Sequence, residues 1–298
     1  MATLRRYLSA QYDWTGISSK LSRSKIWYIG SLSVVGALVL LLVVLYHSYV
    51  VNLPLSYFIS TSMGLEHMYG TIKYFTLGVI FIPLFFLISF AFRMFWLTIY
   101  RGSHVKIPLH LYITEVKTYV LHSVTHKKLS ECPEKIRWPI HWLLAFGCTI
   151  ILVFLIFFLR WFQTDNIYPV YYPQRWMGYL ATIFIVFGSM NILFGRIKKR
   201  EEIYKSSKFE DFIFPIFLLL TAVSGIVVHI SRYLGFEIIS HYLYVLHLVI
   251  VIPVLVVEIP FGKWSHMLYR PLAIYFQAVK EKAMQQQSHE EAIFEQTA

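Results

Sequence analysis

The stretch "YLYVLHLVIVIPVLVVEI", residues 242–259, decides the fold of this chain, because it is apolar along nearly its whole length. Only His247 and Glu258 interrupt it with ionisable side chains. A helix needs about 20 mainly apolar residues to cross a bilayer. Similar runs occupy residues 26–46, 71–96, 140–162, 176–194 and 212–230. The sequence therefore predicts an all-α integral membrane bundle of six transmembrane helices.

The composition agrees with a membrane protein, since 57% of residues are hydrophobic and 14% are charged. The formal net charge of +11 comes from basic residues that lie between the apolar runs. All 27 Lys and Arg residues except Lys73, Arg160, Arg175 and Arg232 fall on the side that carries both termini. Basic loops usually stay in the cytoplasm. We therefore expect cytoplasmic termini, a multi-pass protein of a prokaryotic cell (inner) membrane, and no nucleic-acid partner.

Twelve histidines are many for 298 residues, and their positions suggest a cofactor. His141, His229 and His247 lie inside predicted spans, whereas His47, His67 and His241 lie at span ends. A neutral imidazole is a common axial ligand of haem iron. A helix rises ~1.5 Å per residue, so the position of a histidine along its predicted span estimates its depth in the membrane. By this estimate the depth of His229 matches that of His247 better than the depth of His141 does, although helix tilt could change this order. Depth estimated from sequence does not choose the pair.

Cysteine usage limits the redox chemistry of the chain. Only Cys132 and Cys148 occur, which is too few for an iron-sulfur cluster or a disulfide framework. Any iron-sulfur centre is therefore expected in a partner protein.

Several stretches of the C-terminal part carry a family resemblance: "KKLSEC" from 127, "HWLLAFG" from 141, "SSKFEDFIFPIFLLLTAVSGIVVHISRYLG" from 206, "LHL" from 246 and "PFGKWSHMLYRPLA" from 260. In order and spacing they resemble the membrane cytochrome b family. This family includes the nitrate reductase gamma subunit, the heterodisulfide reductase cytochrome b subunit and the membrane subunit of the quinone-modifying oxidoreductase. The resemblance covers about residues 110–275.

The resemblance implies one haem b on the cytoplasmic side, held by His141 and His247 as axial ligands of the iron. Where relatives have a second histidine, ten residues after His141, this chain has Ile151. We expect that His229 and His47 could hold a second haem instead. The implied function is electron transfer, as the membrane subunit of a quinone-linked respiratory oxidoreductase, between a menaquinone-like quinone and a cytoplasm-facing partner. That partner would be an iron-sulfur (heterodisulfide-reductase-like) subunit or a flavoprotein subunit.

The predicted organisation has five parts. Residues 1–25 form a cytoplasmic leader, 26–100 two transmembrane helices, 101–137 a basic amphipathic cytoplasmic loop, 138–262 the four-helix haem-binding bundle, and 263–298 a cytoplasmic tail. We expect the basic loop to dock the soluble partner, and membrane lipid to surround the spans.

Three further residues are candidates for contact with quinone or for proton transfer. Glu258 lies nearly on the helical face of His247, and His241 and His67 lie at outer span ends. Buried ionisable residues in membrane spans are costly and often functional. Two alternative functions remain: a haem-free membrane anchor for a soluble redox complex, and a proton-coupled transporter. Against the transporter, the sequence has no inverted halves.

Overall fold

The computed structural model describes residues 2–50, 65–103, 105–131, 134–162, 167–205 and 207–297. It is 87% helical, and no strand occurs in these residues. Six helices are long and apolar enough to cross a membrane: Lys25–Leu45, Lys73–Tyr100, Arg137–Phe157, Pro173–Ile197, Phe209–Tyr233 and Ile238–Phe261. The predicted all-α architecture with six spans is confirmed, and the cytoplasmic position of the termini stays a prediction.

The α-helices in chain order are α1 (Ala2–Tyr12), α2 (Ile17–Arg23), α3 (Lys25–Leu45), α4 (Leu65–Phe95), α5 (Leu109–Thr125), α6 (Lys127–Ser130), α7 (Arg137–Phe157), α8 (Leu159–Phe162), α9 (Pro173–Ile197), α10 (Glu202–Lys205), α11 (Phe209–Tyr233), α12 (Glu237–Pro253), α13 (Ile259–Phe261) and α14 (His266–Thr297). Three π-helical segments extend α3, α4 and α12: Tyr46–Val50, Trp96–Tyr100 and Val254–Glu258. A 3₁₀ turn, Lys263–Ser265, precedes α14.

The spanning helices pack in the order α7, α9, α11, α12 and α3. Glycines allow α7 and α9 to approach closely. A Cβ added to Gly147 of α7 would lie 2.9 Å from the Ala181 carbonyl oxygen of α9, and one added to Gly188 of α9 would lie 2.7 Å from Leu144 Cβ. Helices in membranes associate through such small residues because van der Waals packing drives their contact.

One end of the bundle, here called the terminal face, carries α1, α2, α5 and α14; the opposite end is called the far face. At the terminal face α14 packs along α5, with Leu111, Val279 and Ala283 buried in one cluster. The ring centres of Tyr12 in α1 and Tyr269 in α14 are 6.1 Å apart. The predicted leader, basic loop and tail are therefore separate in sequence, but they form one helical layer in the structure.

A buried ionic network holds this layer to the spans. The Asp211 carboxylate at the start of α11 accepts a hydrogen bond from Lys263 Nζ at 2.9 Å. Arg6 of α1 and Arg196 of α9 also approach it, at 3.7 and 3.9 Å. Arg6 forms a second ion pair with Glu210. The network joins the first helix of the chain to three parts of the bundle.

The contact between α5 and α14 should depend on pH. Glu115 accepts hydrogen bonds from Lys282 and Thr118, which lower the pKa of its carboxyl. The unfolded value is about 4.3, so the ion pair stabilises the fold above that pH and is lost as the pH falls through the lower folded pKa. We expect Glu115→Gln to cost about 1 kcal/mol at pH 7, because Lys282 is partly exposed, and nothing at pH 2. Thermal unfolding of the wild type and of Glu115→Gln at pH 7 and at pH 2 measures this cost. An equal loss of stability at the two pH values would contradict the prediction.

Candidate histidine site

His141, in the second turn of α7, lies in a cluster of histidines at the terminal face. Its ring centre is 5.0 Å from that of His126 and 5.9 Å from that of His266. His122 and Arg270 also line the pocket between these side chains. The enclosed volume is about 20 Å³, which is room for one water molecule.

The indole groups of α7 hold His126 in this pocket. Trp138 and Trp142 donate hydrogen bonds to the carbonyl oxygens of Thr125 and Val124, at 2.7 and 3.0 Å, where α5 ends. His126 follows directly, in the left-handed backbone region at φ 50°. A non-glycine residue rarely adopts this conformation, and strained residues are concentrated at functional sites.

Several buried ring nitrogens in the cluster lack hydrogen-bond partners within the described part of the chain. This is true of Nδ1 and Nε2 of His126 and of Nδ1 of His141. Burial, followed by the nearby Arg270 charge, lowers the pKa of His126. A buried polar atom without a partner costs ~1–3 kcal/mol, so such an atom in a native structure needs an explanation. A bound polar group or metal would supply one.

His266 has the tautomer of a metal ligand. Its Nδ1 lies against the Lys263 carbonyl oxygen, so Nδ1–H donates there and Nε2 carries the lone pair. In metal-bound histidines, the ring nitrogen that does not bind the metal commonly donates a hydrogen bond to a carbonyl or carboxylate oxygen. Two imidazoles that share one metal, with nitrogens about 2 Å from it, have ring centres roughly 6 Å apart. The His141–His266 ring centres are 5.9 Å apart, a separation that both an edge-to-face ring contact and two ligands of one metal give.

His247 has a hydrogen-bond partner in α11. Ser224 Oγ lies 2.8 Å from His247 Nδ1 and 3.1 Å from the Thr221 carbonyl oxygen. With Nδ1 engaged by Ser224, Nε2 is the ring nitrogen of His247 left to bind a ligand. Gly225 makes room for the ring, because a Cβ there would lie 3.3 Å from His247 Cε1.

His141 and His247 have different neighbours in the structure. The His141 ring faces the rings of His126 and His266 at the terminal face. His247 contacts Ser224 in the second half of α11. The pairing of His141 with His247 as ligands of one haem stays a prediction.

His229 lies at the far face with both ring nitrogens engaged. Arg175 Nη1 is 3.1 Å from Nδ1 and Tyr179 Oη is 2.6 Å from Nε2. To bind iron, His229 would have to give up one of these bonds. His47 falls in the π-helical segment after α3, and its side chain lies outside the described residues. The second haem held by His229 and His47 stays a prediction.

Glu258 and His241 are at opposite ends of the last span, so they do not form one site. Glu258 is 1% exposed and accepts hydrogen bonds from the Tyr28 hydroxyl and from Lys263 N–H, the latter at 2.8 Å. His241 lies near the far end of the span, about 25 Å away. The side chain of His67, in α4, lies outside the described residues. Their roles with quinone or protons stay predictions.

The sequence interpretation missed His266, His126 and Arg270 as members of the site. His266 lies within the quoted stretch "PFGKWSHMLYRPLA", but its distance from His141 along the chain hid their contact. Within the described part of the chain, no group of three or more His, Cys, Asp or Glu is arranged to hold a metal ion. Comparison with protein-family models, curated proteins and solved structures finds no match to this chain.

Proposed function

We propose that this protein is a membrane cytochrome b subunit of a respiratory oxidoreductase. It carries electrons between a menaquinone-like quinone and an iron-sulfur or flavoprotein subunit at the terminal face. The observation that carries the proposal is the contact between the imidazoles of His141 and His266, in a pocket with buried ring nitrogens that lack partners among the described residues. Their separation would allow both rings to hold one iron.

His141 and His266 would hold one haem b. His247, with Nε2 as its ligand atom, would serve a second haem nearer the far face. Haem b, when bound, accepts and releases one electron at a time. Lys263 and Ser224 fix the ring orientations of His266 and His247 through hydrogen bonds to Nδ1.

Arg270 supplies a fixed positive charge to the terminal pocket. A positive charge beside a redox centre favours the reduced state, because reduction adds negative charge.

The partner would dock on the terminal face, which we infer to be cytoplasmic from the distribution of basic residues. Lys127 is exposed there. Arg137, also expected to dock the partner, is engaged in ion pairs with Glu134 at 3.0 Å and with Glu201 at 3.1 Å. The side chain of Lys128 lies outside the described residues. Docking therefore depends on Lys127 more than on Arg137.

The second candidate function is the haem-free anchor. The observation in its favour is the cavity volume of about 20 Å³ at the histidine cluster. A porphyrin is much larger than one water molecule, so it would enter only after the lining side chains moved apart.

Haem content distinguishes the two functions. Purified protein is analysed by reduced-minus-oxidised spectra and by pyridine haemochrome quantitation, for wild type and for His141→Ala, His266→Ala and His247→Ala. We expect a b-type spectrum with two haems per chain. One haem should be lost in both His141→Ala and His266→Ala, and the other in His247→Ala.

His110→Ala is the matched control, because His110 is exposed on α5 and lies outside the pocket. Its haem content should equal that of wild type. A wild-type protein without haem would overturn the cytochrome function and favour the anchor. Loss of the same haem in His141→Ala and His247→Ala, with His266→Ala unchanged, would restore the pairing implied by the family resemblance.

A further inference from the structure

The far face contains a cluster of hydrogen-bond donors inside the membrane spans, formed by Arg175 and Tyr179 of α9 and His229 of α11. We propose that this cluster, here called the donor triad, binds the carbonyl oxygen of the quinone. This inference rests on the proposed function and adds to it the position of the quinone site.

The hydrogen-bond pattern leaves donors available to a ligand. A guanidinium only donates, so His229 Nδ1 accepts from Arg175 and its Nε2–H donates to Tyr179 Oη. The hydroxyl hydrogen of Tyr179 is then left to donate elsewhere. Arg175 Nε is buried and has no hydrogen-bond partner among the described residues. The triad therefore offers two donors, the Tyr179 O–H and the Arg175 Nε–H, for which the described residues supply no acceptor.

The position of the triad favours a lipid-soluble ligand. All three side chains are half-buried and lie within spans, in the two turns next to the far ends. Trp176, Ile230 and Tyr233 beside them are exposed on the membrane-facing surface. A molecule that arrives laterally through the bilayer can reach the triad without crossing the bundle.

The chemistry of the triad selects the class of ligand. Its available groups are donors, so they match an acceptor oxygen. A quinone has carbonyl acceptors on a flat apolar body, which suits aromatic neighbours. The ring centres of Tyr179 and Tyr233 lie 5.4 and 6.3 Å from that of His229. Tyr179 and Arg175 are the binding residues, and His229 is a positioning residue that orients the Tyr179 hydroxyl.

Binding of a quinone analogue tests the site. The probe is 2-heptyl-4-hydroxyquinoline N-oxide, whose fluorescence is quenched on binding, titrated against the purified full chain in detergent. Tyr179→Phe removes one donor and keeps the ring, and Arg175→Lys removes Nε–H and keeps the charge. We expect each to raise Kd about tenfold, because each removes one hydrogen bond to the ligand.

Tyr233→Phe is the matched control, since Tyr233 is a neighbouring tyrosine outside the hydrogen-bonded triad, and its Kd should equal the wild-type value. Thermal unfolding midpoints of the variants verify their folding. The proposal is overturned by an unchanged Kd in both Tyr179→Phe and Arg175→Lys, or by absence of saturable binding to wild type. It is also overturned if phosphatidylglycerol displaces the probe but 2-methyl-1,4-naphthoquinone does not, because the triad then binds lipid headgroups.

The result is distinguishable from failure of the cytochrome function. Haem content is measured on the same samples. If the protein contains haem but Tyr179→Phe does not change the Kd of the probe, only the proposed quinone site is wrong. If Tyr179→Phe weakens probe binding but the protein contains no haem, the quinone site stands and the proposed electron-transfer function is wrong.

Discussion

Replacement of Gly262 by alanine is expected to destabilise the protein by about 3 kcal/mol, because it displaces a buried carboxylate that accepts two hydrogen bonds. An alanine Cβ at this position would lie 2.0 Å from Oε2 of Glu258 and 2.3 Å from its Cδ. The carboxylate would have to move away from the Tyr28 hydroxyl and the Lys263 N–H that now bind it. Thermal unfolding in detergent measures the loss.

A double-mutant cycle isolates this effect. In a Glu258→Ala background the carboxylate is absent, so Gly262→Ala should cost little beyond the single Glu258→Ala substitution. If Gly262→Ala costs the same in both backgrounds, its effect comes from the backbone or from other neighbours.

The second large effect is expected for Asp211→Asn. The Asp211 side chain is 3% exposed and faces Lys263, Arg6 and Arg196. Loss of one partner from a buried ion pair leaves uncompensated charge and typically costs ~3–5 kcal/mol. We expect a fall in the unfolding temperature and faster proteolysis within α1, since Arg6 anchors that helix to the network.

An exposed ion pair of similar chemistry serves as the control. Glu202 and Lys205 pair on α10, with side chains 83% and 58% exposed. Glu202→Gln should leave the unfolding temperature unchanged, because solvent screens such pairs. Equal losses in Asp211→Asn and Glu202→Gln would show that the buried network does not hold the terminal face together.

The terminal layer shows what the sequence could and could not predict. Residues 101–137 and 263–298 read as separate polar segments, because only their amphipathic pattern is visible along the chain. Their contact depends on Leu111, Val279 and the Glu115–Lys282 ion pair, which join residues far apart in sequence. The contacts of Lys263 could not be predicted from the sequence either. Its backbone N–H donates a hydrogen bond to Glu258 and its Nζ donates one to Asp211.

The sequence predicted histidines as the residues of the candidate site, and the structure adds one contact that the sequence did not predict. The sequence indicated that histidines in spans could bind a cofactor, and it included His141 and His247, whose pairing stays a prediction. The contact of His141 with His266 follows from the chain's turn at Gly262, which precedes α14. The left-handed backbone of His126 has no signal in the sequence at all.

By itself the sequence determined the number of spans and the all-helical class, because a bilayer requires about 20 apolar residues with all backbone hydrogen bonds made within the segment. That requirement is local, so each run of residues meets it alone. Only the tertiary structure decided which histidines meet, which hydrogen-bond partner each of them has, and which carboxylates are buried. These properties depend on helix rotation, on relative depth and on hydrogen bonds between distant residues, and packing of the whole bundle fixes them together.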